Sequence, residues 1–175
     1  VIRGIIGMES KSLTNELIDM FDSSPEMPSA SAFVQQRSKI KPDAFKTIFE
    51  SFTSKITTKK SDMLRILAVD GSDVQIATNP GDSTSYHSGS NGQKPYNLLH
   101  LNALYDLEHH IYTDAVIQGR LNWNEHSALQ EMVDKSDISK ALVVADRGYE
   151  SYNNMAHIQE KGWYFLIRTR MGKME

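Results

Sequence analysis

At 175 residues the chain suits one domain, or a compact domain with a helical appendage, and it is long enough to bury a core. Its 39% hydrophobic and 23% charged residues exclude the composition of a disordered chain, and the absence of cysteine excludes disulfide frameworks, thiolate zinc sites and cysteine nucleophiles. The net charge of −3 argues against a nucleic-acid binder only until its distribution is read: between Arg37 and Lys60 seven basic residues face two acidic ones, a local net of +5.

The first 60 residues read as helical. Leu13, Leu17, Ile18 and Phe21 fall at three- and four-residue spacings, and Ser24-Pro25 and Met27-Pro28 break the pattern. A second helix is expected from Ser29 or Ser31. Pro42 opens a third, with Phe45, Ile48, Phe49 and Phe52 as its apolar face. From Leu64 the period shortens to β-branched runs: Leu64 to Val69, Tyr96 to Tyr105 and Ile111 to Ile117, the last two joined by a turn over Asp106 to His110. Asn122 or Asn124 caps a crossover helix over residues 124–135. A strand from Lys140 to Ala145, a helix from about Ser151 to Lys161 ended by Gly162, and a strand from Trp163 to Arg168 complete the order. An antiparallel meander followed by crossovers, an α/β mixed sheet, is the expected architecture. The Gly-, Ser- and Asn-rich stretch from Thr78 to Pro95 reads as a long loop, functional or disordered, and Ser88 to Gly92 as flexible.

No apolar run approaches the roughly 18 to 20 residues of a membrane span, so a soluble, cytoplasmic protein is expected. The start at Val1 without an initiator and the stop at Glu175 just after a strand-like run read as the ends of a fragment.

Ile66 to Val69 and Ala141 to Ala145 are unbroken apolar runs, the pattern of strands buried on both faces, and each ends in an aspartate, Asp70 and Asp146. If the helix over 124–136 returns the chain so that these strands lie parallel and adjacent, the two carboxylates sit roughly 5 Å apart. They then share the crevice where open α/β sheets place ligands. Such neighbours repel unless a cation lies between them, and magnesium, an oxygen-seeking ion that keeps positions for water and phosphate, is the natural partner. The bland alternative is that each aspartate caps or turns the chain, and Asp73 is read that way. A phosphatase of the haloacid-dehalogenase type wants a second aspartate two residues after the first. Ser72 stands there.

Three stretches together resemble the DDE transposases of the insertion-sequence-four type: Leu67-Ala68-Val69-Asp70-Gly71-Ser72, Tyr96 to Asp106, and Ala145-Asp146-Arg147-Gly148-Tyr149-Glu150-Ser151. Ser29 to Arg37 resembles the helical segment that precedes the catalytic domain there. The resemblance implies a ribonuclease-H-like fold, two-metal strand transfer on DNA with Mg2+ or Mn2+, and Asp70 and Asp146 as catalytic metal ligands. It also implies a homodimer acting on paired transposon ends, in a bacterial, nucleoid-associated setting. Residues 1–60 become a helical DNA-contacting region and 61–175 the catalytic domain. The third ligand implied is a glutamate on a later helix. Nothing after Trp163 matches its motif, so the catalytic set is expected to be incomplete and this chain inactive alone.

Arg147 is a candidate phosphate grip, against a surface pair with Glu150. Arg37, Lys39, Lys41 and Lys46 are candidate contacts to the DNA backbone, against a solvated helix face. Glu125 in the first turn of the crossover helix is either a response to the helix dipole or a substitute third carboxylate. His109 and His110 lack the partners of a zinc site. The rivals to a transposase are a non-catalytic DNA-binding remnant and a magnesium-dependent nuclease.

Overall fold

The computed structural model describes residues 1–57, 63–90 and 92–169 and divides the chain into two compact units, Val1–Phe49 and Glu50–Glu175. The division falls inside a helix, ahead of the boundary at 60 read from composition. Lys59 and Lys60 of the basic run lie outside the described residues.

The first unit holds α1 (Ile2–Ile6), α2 (Leu13–Phe21), α3 (Ala30–Arg37) and the start of α4 (Ala44–Thr57). Local chemistry sets these boundaries. The Ser12 and Ser29 hydroxyls accept from the Asn15 and Ala32 amides and so satisfy orphan donors of the first turn. Asp22 ends α2 in the left-handed conformation (φ 48°). Leu17 and Phe33 form its small core, and the buried Glu16 accepts from the amides of Glu9 and Lys11, tying down the α1 to α2 link.

The second unit is built on one mixed sheet of β1 (Arg65–Ile76), β2 (Tyr86–His87), β3 (Tyr96–Asp106), β4 (Ile111–Gln118), β5 (Ala141–Ala145) and β6 (Tyr164–Ile167). The order runs β2-β3-β1-β5-β6, with β4 also on β3. β1 pairs antiparallel with β3 and β3 with β4, whereas β1–β5 and β5–β6 are parallel. Parallel neighbours need crossovers, and α5 (Glu125–Lys135) and α6 (Tyr152–Glu160) provide them. The Asn124 side chain accepts from the Ser127 amide to start α5, and Gly162, at φ +78°, follows α6.

Leu67, Val69, Leu104, Leu129, Met132, Val133, Val143, Ile158 and Trp163 make one buried cluster between sheet and helices. Burial alternates along β1 and β5: Leu67, Val69, Val143 and Ala145 are buried, but Ile66, Ala68, Leu142 and Val144 only half so. The apolar runs are therefore not strands buried on both faces, because α5 and α6 cover one face fully. Among the described residues no helix is long and apolar enough to cross a membrane.

Two further expectations change. β1 does not stop at Val69. It continues to Ile76 because β3 offers an unbroken partner, from Leu67 opposite Asp106 to Ile76 opposite Asn97, and ladder pairing overrides the weak strand preference of Gly71-Ser72-Asp73. Asp73 thus sits within a strand rather than capping a turn. Much of the stretch from Thr78 to Pro95 is folded: buried Asn97 donates to the Asn79 carbonyl and the Ser85 hydroxyl, Asp82 accepts from Thr84 and Ser85, and β2 pairs with β3. The Ser85 hydroxyl, ahead of every other neighbour, holds the Asp82 carboxyl below the usual carboxylate range.

Candidate active site

The parallel register of β1 and β5 matches Ala68 with Val144. Two residues further along each strand stand Asp70 and Asp146, both exposed. β5 ends at Ala145, so Asp146 lies just past its carboxyl end, while Asp70 lies where β1 loses its parallel neighbour but keeps β3. Each aspartate has a local backbone role. Asp70 Oδ1 accepts from the Gly71 amide at 2.9 Å, and Asp146 Oδ1 accepts from the Gly148 amide at 2.6 Å, capping a single 3-10 turn over Arg147–Tyr149. The capping alternative is thus met with one oxygen at Asp146, whereas Asp70 lies within β1 and caps no helix.

That turn is fixed from below. Buried Asn154 on α6 donates to the Tyr149 carbonyl at 2.9 Å and accepts from Gln130 on α5 at 2.7 Å. The Tyr149 ring is buried in the core and its hydroxyl has no hydrogen-bond partner among the described residues. Burial first, then the charges of Glu125, Asp70 and Asp146, push the Tyr149 phenol well above its ordinary pKa. All three carboxylates therefore lie within electrostatic reach of one hydroxyl.

Glu125 enters from the first turn of α5. A Cβ built on Gly71 would come 2.9 Å from Glu125 Oε1, and one on Gly148 3.6 Å from Glu125 Oε2, so this carboxylate lies between the residue after Asp70 and the turn after Asp146. Its Oε1 is 3.1 Å from His100 Nε2, ion-pair distance but off the line of a hydrogen bond, and His100 Nδ1 is 2.8 Å from Asp73 Oδ1. The His100 ring is buried and stacks on Trp123 with centroids 4.4 Å apart. His100, Trp123 and Tyr149 were not singled out from sequence. Their placement depends on the β1–β3 register and on where α5 lands.

Gly71 has no room for a side chain: the same Cβ would lie 2.6 Å from His100 Nε2. Because His100 is buried and cannot swing away, Gly71→Ala is expected to destabilise the fold by about 1–3 kcal/mol, as overpacking does. A lower urea midpoint would report it; an unchanged midpoint would show that the ring yields.

Arg147 is exposed beside Asp146, and Arg37, Lys39, Lys41 and Lys46 are exposed on the first unit, Lys39 reaching Gln36 Oε1 at 3.3 Å. Among the described residues, the group of three possible metal-binding side chains with ligand atoms mutually within 4.8 Å is Asp106, Glu108 and His109, not the carboxylates around Tyr149. Asp106 is opposite Leu67, toward the other end of β1 from the site. Its oxygens are taken by Arg65 and the Glu108 and His109 amides, which explains the grouping without an ion.

Residues 62–174, more than half of the chain, match the family model of the transposase DDE domain. The chain belongs to this family. Comparison with curated proteins gives no match. Among solved structures, the piggyBac transposase synaptic complex with hairpin DNA is similar, with a TM-score of 0.50 and 13% identity over 85% of this chain and 32% of that one. The Mos1 transposase paired-end complex with left transposon end (TM-score 0.34, 12% identity) and the Mos1 strand transfer complex (0.39, 11%) are looser likenesses, each covering 94% of this chain and 56% of the other. The chain spans about a third of the piggyBac chain and just over half of the Mos1 chains. The mixed sheet, with an antiparallel arm and parallel strands bridged by helices, is the ribonuclease-H-like sheet of transposases.

Proposed function

We propose that this chain is the core of a DNA transposase of the insertion-sequence-four type, in which Asp70 and Asp146 hold Mg2+ or Mn2+ for phosphodiester cleavage and strand transfer. One observation supports the reading: in a transposase DDE domain, the parallel β1–β5 register runs to Ala68 opposite Val144, and an aspartate follows two residues later on each side, Asp70 within β1 and Asp146 just past the end of β5. The donor set fits the ion. Asp70, Asp146 and Glu125 offer oxygen only, the preference of a hard divalent cation, beside a buried tyrosine hydroxyl without a partner among the described residues. When bound, such ions activate an attacking water or 3′-hydroxyl and stabilise the leaving oxygen.

The rest falls to the chain's own residues. With Oδ1 of each aspartate accepting from a backbone amide, the other oxygen of each carboxylate is left for the ligand. Arg147, one residue on, grips a phosphate of the bound strand. The basic segment holds the DNA backbone without reading its sequence. The third carboxylate implied by the resemblance, a glutamate on a later helix, has no match after Trp163, so residues 1–175 carry two of the three implied ligands and are assigned no strand transfer of their own. A homodimer pairing two transposon ends completes the reading.

The test offers terminal-repeat duplex, target duplex and Mg2+ to the full-length protein. Joined product supports the transposase. Cleavage without joining points to the nuclease, and binding without cleavage to the remnant.

DNA binding itself is expected to be strongly salt-dependent. Reversing Lys39, Lys41 and Lys46 to glutamate should flatten the slope of log affinity against log salt by about 0.9 for each phosphate that is no longer neutralised, equally on any duplex sequence. An unchanged slope and affinity, measured by fluorescence anisotropy, would leave the segment a solvated face.

A further inference from the structure

We infer that Glu125 is a third acidic ligand of the divalent-metal site formed with Asp70 and Asp146, held toward it by the buried His100. The inference rests on the reading of those two aspartates as metal ligands.

A glutamate in the first turn of a helix commonly serves the dipole alone, and for that purpose solvent is its best surrounding. Glu125 is placed otherwise. Its side chain is only 35% exposed, with one oxygen over Gly71, which follows Asp70, and the other toward Gly148, two residues after Asp146. Both neighbours are glycines, and at Gly71 any side chain would strike Glu125 and His100 together. The space for this carboxylate is kept open at Gly71, on the strand that carries Asp70.

The second observation is independent of the acidic residues. Tyr149 is 2% exposed, yet its hydroxyl has no hydrogen-bond partner among the described residues. A buried polar group left unmet costs about 1–3 kcal/mol, and one that feels the charges of Glu125, Asp70 and Asp146 calls for an explanation. A hydrated divalent cation fits: Mg2+ and Mn2+ take carboxylate oxygens and retain waters that can meet neighbouring polar atoms. His100 is a positioning residue. Asp73 fixes its Nδ1 side at 2.8 Å and Trp123 its ring plane, leaving Nε2 at ion-pair distance, 3.1 Å, from Glu125 Oε1.

The probe is Mn2+ alone, followed by the paramagnetic resonance signal of the free ion as it is titrated into purified protein. Glu125→Gln keeps the shape of the side chain and an oxygen facing His100, so a purely structural role would survive it. Asp70→Asn, Asp146→Asn and Glu125→Gln are each expected to weaken Mn2+ binding about tenfold or more. Glu131→Gln, on the solvent side of the same helix, should bind as the unaltered protein does. Loss with both aspartate variants but wild-type affinity in Glu125→Gln would overturn the role of Glu125 while leaving the aspartate site standing. Indifference to all three substitutions, or no Mn2+ binding by the unaltered protein, would overturn both. Circular dichroism checks folding. Should Glu125→Gln fail to fold, Glu125→Asp decides in its place, intermediate loss supporting the inference and wild-type affinity overturning it.

Discussion

In the full-length protein, Asp70→Asn and Asp146→Asn are each expected to lower Mg2+-dependent strand cleavage by on the order of a thousandfold, with DNA binding nearly unchanged. The magnitude follows from the proposed role of the two carboxylates as metal ligands. A catalytic metal contributes several kcal/mol to the transition state, and about 1.4 kcal/mol is a factor of ten in rate. Asparagine keeps an oxygen for the Gly71 or Gly148 amide, so the local turn survives and only the charge is lost. Because the ligands act as a set, the double variant should be little worse than either single one. Multiplying losses would mean that the aspartates act separately, and cleavage persisting in both variants would remove the site from the β1–β5 level altogether. The measurement is single-turnover cleavage of terminal-repeat DNA, with anisotropy on the same duplex as the binding control.

What the sequence could and could not disclose about this site follows the range of the interactions involved. The caps of α3 and α5 were legible because a serine or asparagine bonds its own helix three residues on. The two apolar runs ending in aspartate gave the strands and their order, since apolar runs separated by a helical stretch favour a parallel return. The end of β1 was misplaced because Gly71-Ser72-Asp73 has the local chemistry of a turn, and only the partner strand β3 shows that it is not. His100 was illegible for the same reason: its bond to Asp73 spans 27 residues and exists only in one β1–β3 register. A slip of one residue would turn His100 to the other face of the sheet. Glu125 was legible as a first-turn acid, but its direction depends on how α5 packs on β3 and β4.

The largest effect on stability is expected at the other end of β1, where Asp106→Ala should cost about 3–5 kcal/mol, the range for removing one partner of a buried ion pair. Asp106 is fully buried and Arg65 nearly so, with Arg65 Nη1 3.1 Å from Asp106 Oδ2. The same carboxylate accepts from the Glu108 and His109 amides at 2.9 Å each and lies 3.0 Å from His109 Nδ1, so it also closes the turn between β3 and β4. Alanine would take the carboxylate partner from a buried guanidinium and leave two turn amides without their acceptor. Burial alone would raise the Asp106 pKa, but the His109 amide and ring and the Glu108 amide outweigh it and hold the carboxyl below its ordinary value. The unfolded chain therefore binds this proton more readily than the folded one. The stabilisation is complete above the unfolded pKa of about 3.9 and is lost as pH falls through the lower folded value. Urea midpoints taken from pH 7 downward should show the wild-type protein losing stability below about pH 4. Asp106→Asn, already weakened at pH 7, should show a shallower decline over the same window because it has no proton to take up there. Parallel pH profiles for the two proteins would mean that Asp106 is not the group that titrates, and a loss well under 1 kcal/mol at pH 7 would place the Arg65–Asp106 pair in solvent rather than in the core.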